Sequence, residues 1–186
     1  MAVIYRSRHQ WQGRPDDPFG WKNCAAYSLA MALDRASLGQ LRLTGEIVRA
    51  LSDEPNPEPK SPGLNLGQLI AVSKRYSSWL LIDRTGRTFP ALLADLRAGR
   101  GAIVSGDYDQ MGVWSCQRSF VGNHGIWVNH ITGDGDLYVS DPLCRVAREI
   151  PAPVIQAYAE KFGRSTGLSA GQLRYAVTRV TPTVER

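Results

Sequence analysis

Three side chains in this 186-residue sequence could work together as a nucleophile, a base and the base's partner: Cys24, His124 and Asp141. A cysteine attacks a carbonyl carbon only as its thiolate. The first turn of a helix lowers a thiol's pKa, because unpaired N–H groups and the helix dipole favour negative charge. Cys24 stands at such a place, directly after Asn23, a residue type that caps helices, and at the head of an Ala-, Leu- and Met-rich run to Asp34. A lone cysteine on an apolar helix is more often a small buried residue than a nucleophile, so the chemistry depends on the other two. His124 precedes the apolar run 125–131, and Asp141 closes the run 136–140 just before Pro142. The turn Gly133-Asp134-Gly135 between them predicts an antiparallel hairpin, which puts the start of its first strand beside the end of its second. Counted from Asp134, His124 lies ten residues before and Asp141 seven after, a difference that a β-bulge absorbs.

The alternatives are few, because the chain has only three histidines. His9 falls in a polar stretch and reads as a surface residue. His130 shares His124's parity on an unbroken strand, but it lies near the turn, opposite Leu137 or Tyr138, and too far from Asp141 to be its partner. It is expected to be a partly exposed or hydrogen-bonded structural residue. No Cys or His pair has the short spacing of zinc ligands.

The elements that must position these residues can be read along the chain. Residues 1–20 are polar and broken by Gly13, Pro15, Pro18 and Gly20, which predicts an extended lead-in. Helices are expected from Asn23 to Asp34, Thr44 to Leu51, Leu66 to Tyr76, Phe89 to Ala98 and Pro153 to Phe162, with a proline-rich loop from Asp53 to Gly63. Strands are expected at Trp79–Asp83, Ala102–Ser105, Gly125–Ile131, Asp136–Ser140 and Leu173–Val180, and residues 107–120 as a long irregular segment. Helices first and mostly antiparallel strands later define an α+β class, and the length suits a single domain over 1–186. Trp114, Trp127 and Tyr108 are candidates for the walls of a cleft, although Trp127, at a strand position, belongs to the core.

Composition narrows the function classes. Of 22 basic residues only Lys22, Lys60, Lys74 and Lys161 are lysines, and the arginines are scattered, so the net charge of +5 reads as a solvated surface rather than a nucleic-acid site. No apolar run approaches the roughly 20 residues of a membrane span. The N-terminal residues lack the apolar core of a signal peptide, so the expected product is cytoplasmic as synthesised. Three cysteines leave at least one thiol unpaired, which also fits synthesis in a reducing compartment; pairing of Cys116 with Cys144 stays open at this point.

Several segments together resemble the papain-like cysteine peptidases, in particular the bacteriocin-processing branch and its bacterial and phage relatives. Asn23-Cys24-Ala-Ala-Tyr-Ser-Leu-Ala-Met-Ala-Leu is similar to that family's nucleophile helix. Gly63-Leu-Asn-Leu-Gly-Gln-Leu and Leu92-Leu-Ala-Asp-Leu-Arg-Ala-Gly-Arg-Gly-Ala-Ile-Val resemble its middle segments. Asn123-His-Gly-Ile-Trp-Val and Tyr138-Val-Ser-Asp141-Pro142 resemble its histidine strand and Asp-Pro strand end, in the family's order. Two positions depart from the pattern. Ala25 stands where many relatives have Gly, and the glutamine whose amide assists the oxyanion would be Gln12, with Gln10 as the alternative, twelve residues ahead of Cys24.

The resemblance implies a papain-like fold, N-terminal helices packed on a C-terminal antiparallel sheet, and acyl transfer. His124 would take the proton of Cys24, Asp141 would orient His124, and Gln12 with the Cys24 N–H would hold the oxyanion. Its substrate would be a peptide, a protein or a peptidoglycan-type amide, and no cofactor is needed. A second reading stays open: a catalytically silent papain-like domain serving as a binding or structural part of a larger assembly such as a phage particle, virion-associated or released by a non-classical route.

Overall fold

The computed structural model describes residues 6–13, 23–53, 64, 66–76, 82–83 and 86–178. Helix α1 (Cys24–Ala36) is the axis of the N-terminal part, and all of its residues after Cys24 are buried. Its alanines, leucines and methionine carry high helix propensity and no polar burden, so it can be enclosed on every side. Polar residues on it bond across elements: Ser28 donates to the Gly125 carbonyl at 3.0 Å, and buried Arg35 donates to the Asn129 and Gly99 carbonyls. Asn23 precedes the helix as expected, but its side chain makes no capping hydrogen bond and its backbone is not extended (φ −99°, ψ 6°). Helix α2 (Gly45–Asp53) begins one residue later than expected, because the Thr44 hydroxyl accepts the Ile47 N–H at 3.3 Å and so occupies the capping position. Helix α3 (Leu66–Lys74) completes this group.

Among the described residues, the rest is built on a six-stranded sheet. After β1 (Ile82–Asp83), β2 (Arg87–Thr88) and α4 (Phe89–Arg97) come β3 (Ala102–Asp107), a 3-10 segment (Tyr108–Trp114) and β4 (Asn123–Ile131). Then follow β5 (Leu137–Ser140), β6 (Arg148–Ile150), α5 (Ala152–Ser165), β7 (Gln172–Leu173) and β8 (Tyr175–Val177). The strand order is β1-β8-β3-β4-β5-β6, with every pairing antiparallel, and β2 and β7 form a separate two-stranded sheet. The α+β class is thus borne out.

Alternation along β3 and β4 sends neighbouring side chains to opposite faces. Ile103 and Trp127 join the core formed with α1, α2 and α3, whereas Ala102, Val104, Ile126 and Val128 join the one formed with α4 and α5. Trp127 is fully buried, as expected of a core residue, and its indole N–H donates to Ser7 Oγ at 3.0 Å.

Several expectations need correction. The segment 107–120 opens with a 3-10 turn rather than irregular chain, and breaks at Gly112, whose φ of 51° suits a residue without a Cβ. The last strand is split at Arg174 between two sheets, residues 179–180 lying outside the described part, as do Trp79 to Leu81 and residues 54–63 of the proline-rich loop. Residues 6–13 form no helix or strand but are fastened to the body: Ser7 bonds Asn129, the Arg8 N–H donates to Asp34 at 2.8 Å, and the Gln12 N–H donates to the Pro142 carbonyl at 2.9 Å. The polar residues that suggested a loop are used as cross-links between α1 and the sheet.

Helix α5 reaches the sheet where β3 has no side chain. A Cβ at Gly106 would lie 2.0 Å from the Tyr158 ring, and the Tyr158 hydroxyl donates to the His124 carbonyl at 2.5 Å. Gly106→Ala is therefore expected to destabilise the fold by about 1–3 kcal/mol through overpacking. Thermal unfolding of wild type and variant checks this, and an unchanged midpoint would show that Tyr158 does not seat against Gly106.

Candidate active site

The hairpin β4–β5 delivers the base and its partner by the geometry that its sequence implied. Trp127 pairs with Ser140 and Val128 with Val139, then the register shifts so that His130 pairs with Tyr138 and Ile131 with Leu137. This bulge at Asn129 takes up one of the three residues by which the arms differ, and it also breaks the parity on which His124 and His130 seemed equivalent. His124 Nε2 lies 2.7 Å from Asp141 Oδ1. Both side chains are buried, His124 at 2% and Asp141 at 1% exposure.

Asp141 is held on all sides. Oδ1 also accepts the Leu143 N–H at 2.8 Å, while Oδ2 accepts the Tyr108 hydroxyl at 3.0 Å. Burial alone would raise its pKa, but His124, the Leu143 N–H and the Tyr108 hydroxyl hold the carboxyl below its ordinary value. His124 is pulled the other way. Burial lowers its pKa, yet the charges of Asp141 and Cys24 and the hydrogen bond to Asp141 lift it to about 10. Because Nε2 is committed to Asp141, the interaction with Cys24 falls to Nδ1, a buried atom without a full hydrogen bond of its own.

Cys24 opens α1 and is half-buried. Burial pushes its thiol up, but the charge of His124 and the N–H groups of Gly125 and Ala25 outweigh this, holding it below the ordinary thiol value. Helix start and strand start meet closely here: a Cβ on Gly125 would sit 3.5 Å from Ala25 Cα, in ordinary van der Waals contact. The arrangement favours a thiolate–imidazolium pair near neutrality, flanked by a fixed carboxylate. Cys116 and Cys144 form a disulfide with Cα atoms 5.3 Å apart, so the free thiol is Cys24.

The two glutamines differ. Gln10 has both ends of its amide in use, Nε2 donating to the Leu43 carbonyl at 2.9 Å and Oε1 accepting the Gly45 N–H at 3.1 Å. Gln12 is fully buried on the segment pinned to Pro142, next in sequence to Asp141. His9, expected at the surface, is half-buried, with Nε2 2.7 Å from the Cys144 carbonyl. His130 is buried at 7% exposure and stacks on Tyr138 at 5.2 Å between ring centres, with its pKa lowered to about 4 by burial and by Arg6 and Arg35. It takes no part in the cluster.

Sequence reasoning missed two contributors. Tyr108, read as a cleft wall, is buried at 1% exposure and bonded to Asp141, and Phe120 packs edge-on against His124 with ring centres 5.6 Å apart. Neither contact has a local signature, since both depend on how the 3-10 segment folds over the hairpin. Trp114 is half-buried and packs against the sheet's α5-side core.

No protein-family profile and no curated protein matches the chain. Among solved structures, it superposes on a protein from Bacillus anthracis provisionally described as a C39-like peptidase. The match covers 100% of this chain and 98% of the other, with a TM-score of 0.65 at 16% identity. The chain therefore has the α+β fold of a C39-like, papain-like peptidase.

The charge arrangement gives a measurable consequence. Alkylation of Cys24 by iodoacetamide, followed by mass spectrometry, is expected to persist well below the ordinary thiol range of about 8.5. Since the folded His124 pKa is raised, its imidazolium survives from acid up to about pH 10, and the thiolate's partner is lost only above that value. A Cys24 profile matching that of the unfolded chain would contradict the ion pair.

Proposed function

We propose that this chain is a cysteine peptidase or amidohydrolase of the papain-like class, allied to the bacteriocin-processing branch, acting by acyl transfer on a peptide, protein or peptidoglycan-type amide. The observation that carries this reading is the buried His124–Asp141 contact of 2.7 Å with the one free thiol beside it. In the reaction, the Cys24 thiolate attacks the amide carbonyl carbon. The oxyanion is held by the Cys24 N–H at the start of α1 and by the Gln12 side-chain amide. The His124 imidazolium then gives its Nδ1 proton to the departing amine, leaving a thioester on Cys24. Neutral His124 next takes a proton from water as the water oxygen attacks the thioester carbon; that one proton restores the imidazolium, and collapse of the tetrahedral intermediate breaks the C–S bond, releasing the acid and returning the Cys24 thiolate. Asp141 keeps the Nε2–H fixed throughout, so that Nδ1 is always the working nitrogen.

Gln12 is preferred to Gln10 because the latter's amide is committed to the α2 region. His124 interacts with both partners at once, and this favours a working site over a catalytically silent domain. A disulfide persists best in oxidising surroundings. That favours action after release or on a larger particle over residence in a reducing compartment.

A peptidyl trap with a thiol-directed warhead tests the reading. Cys24 in the wild type is expected to be labelled at least about 10²-fold faster than in His124→Ala, the usual scale of a positioned base. Cys24→Ala should show no labelling. Equal rates in wild type and His124→Ala would remove the basis for a peptidase.

A further inference from the structure

We propose that Tyr108 is a positioning residue of this site, fixing Asp141 and the His124 ring, and that the Cys116–Cys144 disulfide holds Tyr108 in place. The proposal rests on the peptidase reading and assigns a fourth side chain to its machinery. Tyr108 follows β3 directly, where its N–H donates to the Gly122 carbonyl at 3.0 Å and so extends the pairing that brings β3 beside His124. From there its ring meets the His124 ring edge-on, with centres 5.0 Å apart and planes at 75°, and Phe120 closes against both rings.

The hydroxyl has two partners with fixed roles. It accepts the Cys116 N–H at 3.0 Å, which leaves its own proton for Asp141 Oδ2, also at 3.0 Å. Burial and the Asp141 charge push the phenol up to about 12, so this donor stays protonated wherever the site would work. A carboxylate gripped by backbone at Oδ1 alone could still turn about that contact. The Tyr108 bond at Oδ2 removes that freedom and sets the plane that Nε2 must meet.

The disulfide joins the two ends of this arrangement. Cys116 presents the N–H that orients the hydroxyl, and Cys144 belongs to the turn that starts at Asp141, its N–H donating to the Asp141 carbonyl at 2.9 Å. Cys144 Sγ lies 3.3 Å from Asp141 Oδ2 and, as a disulfide sulfur, has no proton to offer it. Arg148 reinforces the same junction by donating to the Trp114 carbonyl and reaching Cys144 Sγ at 3.0 Å. Without the covalent link, residues 115–122 would be joined to the Asp141 turn by side-chain contacts alone.

The test reads the charge state of Cys24 rather than stability. The titratable groups around the pair are Cys24 from α1, His124 from β4, Asp141, Tyr108, Tyr158 from α5 and His9 from the N-terminal segment. Of these, Tyr108→Phe removes only a hydroxyl. The iodoacetamide profile of Cys24 is measured from pH 4 to 10, well below each protein's unfolding temperature. In Tyr108→Phe its acid limb is expected to move up by about one unit, so that alkylation there is about tenfold slower, because a loosened Asp141 supports the imidazolium less.

Cys116→Ala/Cys144→Ala should move the limb in the same direction. Alanine is chosen because a serine at 144 could itself donate to Asp141. Combined with Tyr108→Phe, the pair should add nothing further, as expected of residues acting through one another. A Tyr108→Phe profile that overlays the wild type overturns the proposal, even if its unfolding temperature falls. Additive shifts overturn the disulfide's part in it. If the cysteine variant does not fold, Tyr108→Phe alone decides. A wild-type Cys24 that titrates as an ordinary thiol is a different result, and it removes the peptidase reading itself.

Discussion

The structure is organised around a carboxylate that is almost completely removed from water. Placing an ionised Asp141 in the interior costs several kcal/mol unless its oxygens are met by donors, and here each of them is: two side chains and one backbone N–H converge on it. These donors come from the strand β4, the segment after β3 and the turn after β5, so satisfying one charge fixes three pieces of chain relative to each other. The charge also decides which way its neighbours ionise. His130, on the same strand, is also buried, but it faces Arg6 and Arg35 instead of a carboxylate, and its pKa is lowered rather than raised. The contrast between the two histidines is therefore one of partners, not of burial.

Helix α1 supplies the remaining constraint. Enclosed on all sides, it can move neither along nor about its axis without disturbing the contacts of Ser28, Asp34 and Arg35 with the sheet and the N-terminal segment. That immobility keeps its first residue, Cys24, at the mouth of β4. The N-terminal segment acts as a strap from Asn129 and Asp34 to Pro142, and it ends at Gln12 beside the turn that carries Asp141.

Much of this was legible in the sequence, for identifiable reasons. Helix α1 declared itself through propensity, and the β4–β5 hairpin through Gly-Asp-Gly between two apolar runs. The unequal arms around Asp134 left room for a bulge, and one appears at Asn129, taking up one residue of the difference. What was not legible is the long-range detail. Nothing near Tyr108 announces a hydrogen bond to a residue 33 positions away. His9 looked exposed because polar neighbours usually mean surface, whereas here the polar segment lies against the body, with Ser7 and Gln12 buried and Arg6 and Arg8 exposed, and bonds what it meets. The β7–β8 break at Arg174 was hidden because a change of sheet leaves the apolar pattern unchanged.

The pairing of Cys116 with Cys144 has a consequence for the chain's covalent fate. A thiolate as accessible and activated as Cys24 is a natural partner for disulfide exchange, and a second free thiol in the same chain would compete for it. With the other two sulfurs bound to each other, and Cys144 buried, an oxidant has only one thiol to act on. Oxidative damage would then be recorded at a single sulfur, as a sulfenic acid that an external thiol can reverse or as a link between two copies of the protein.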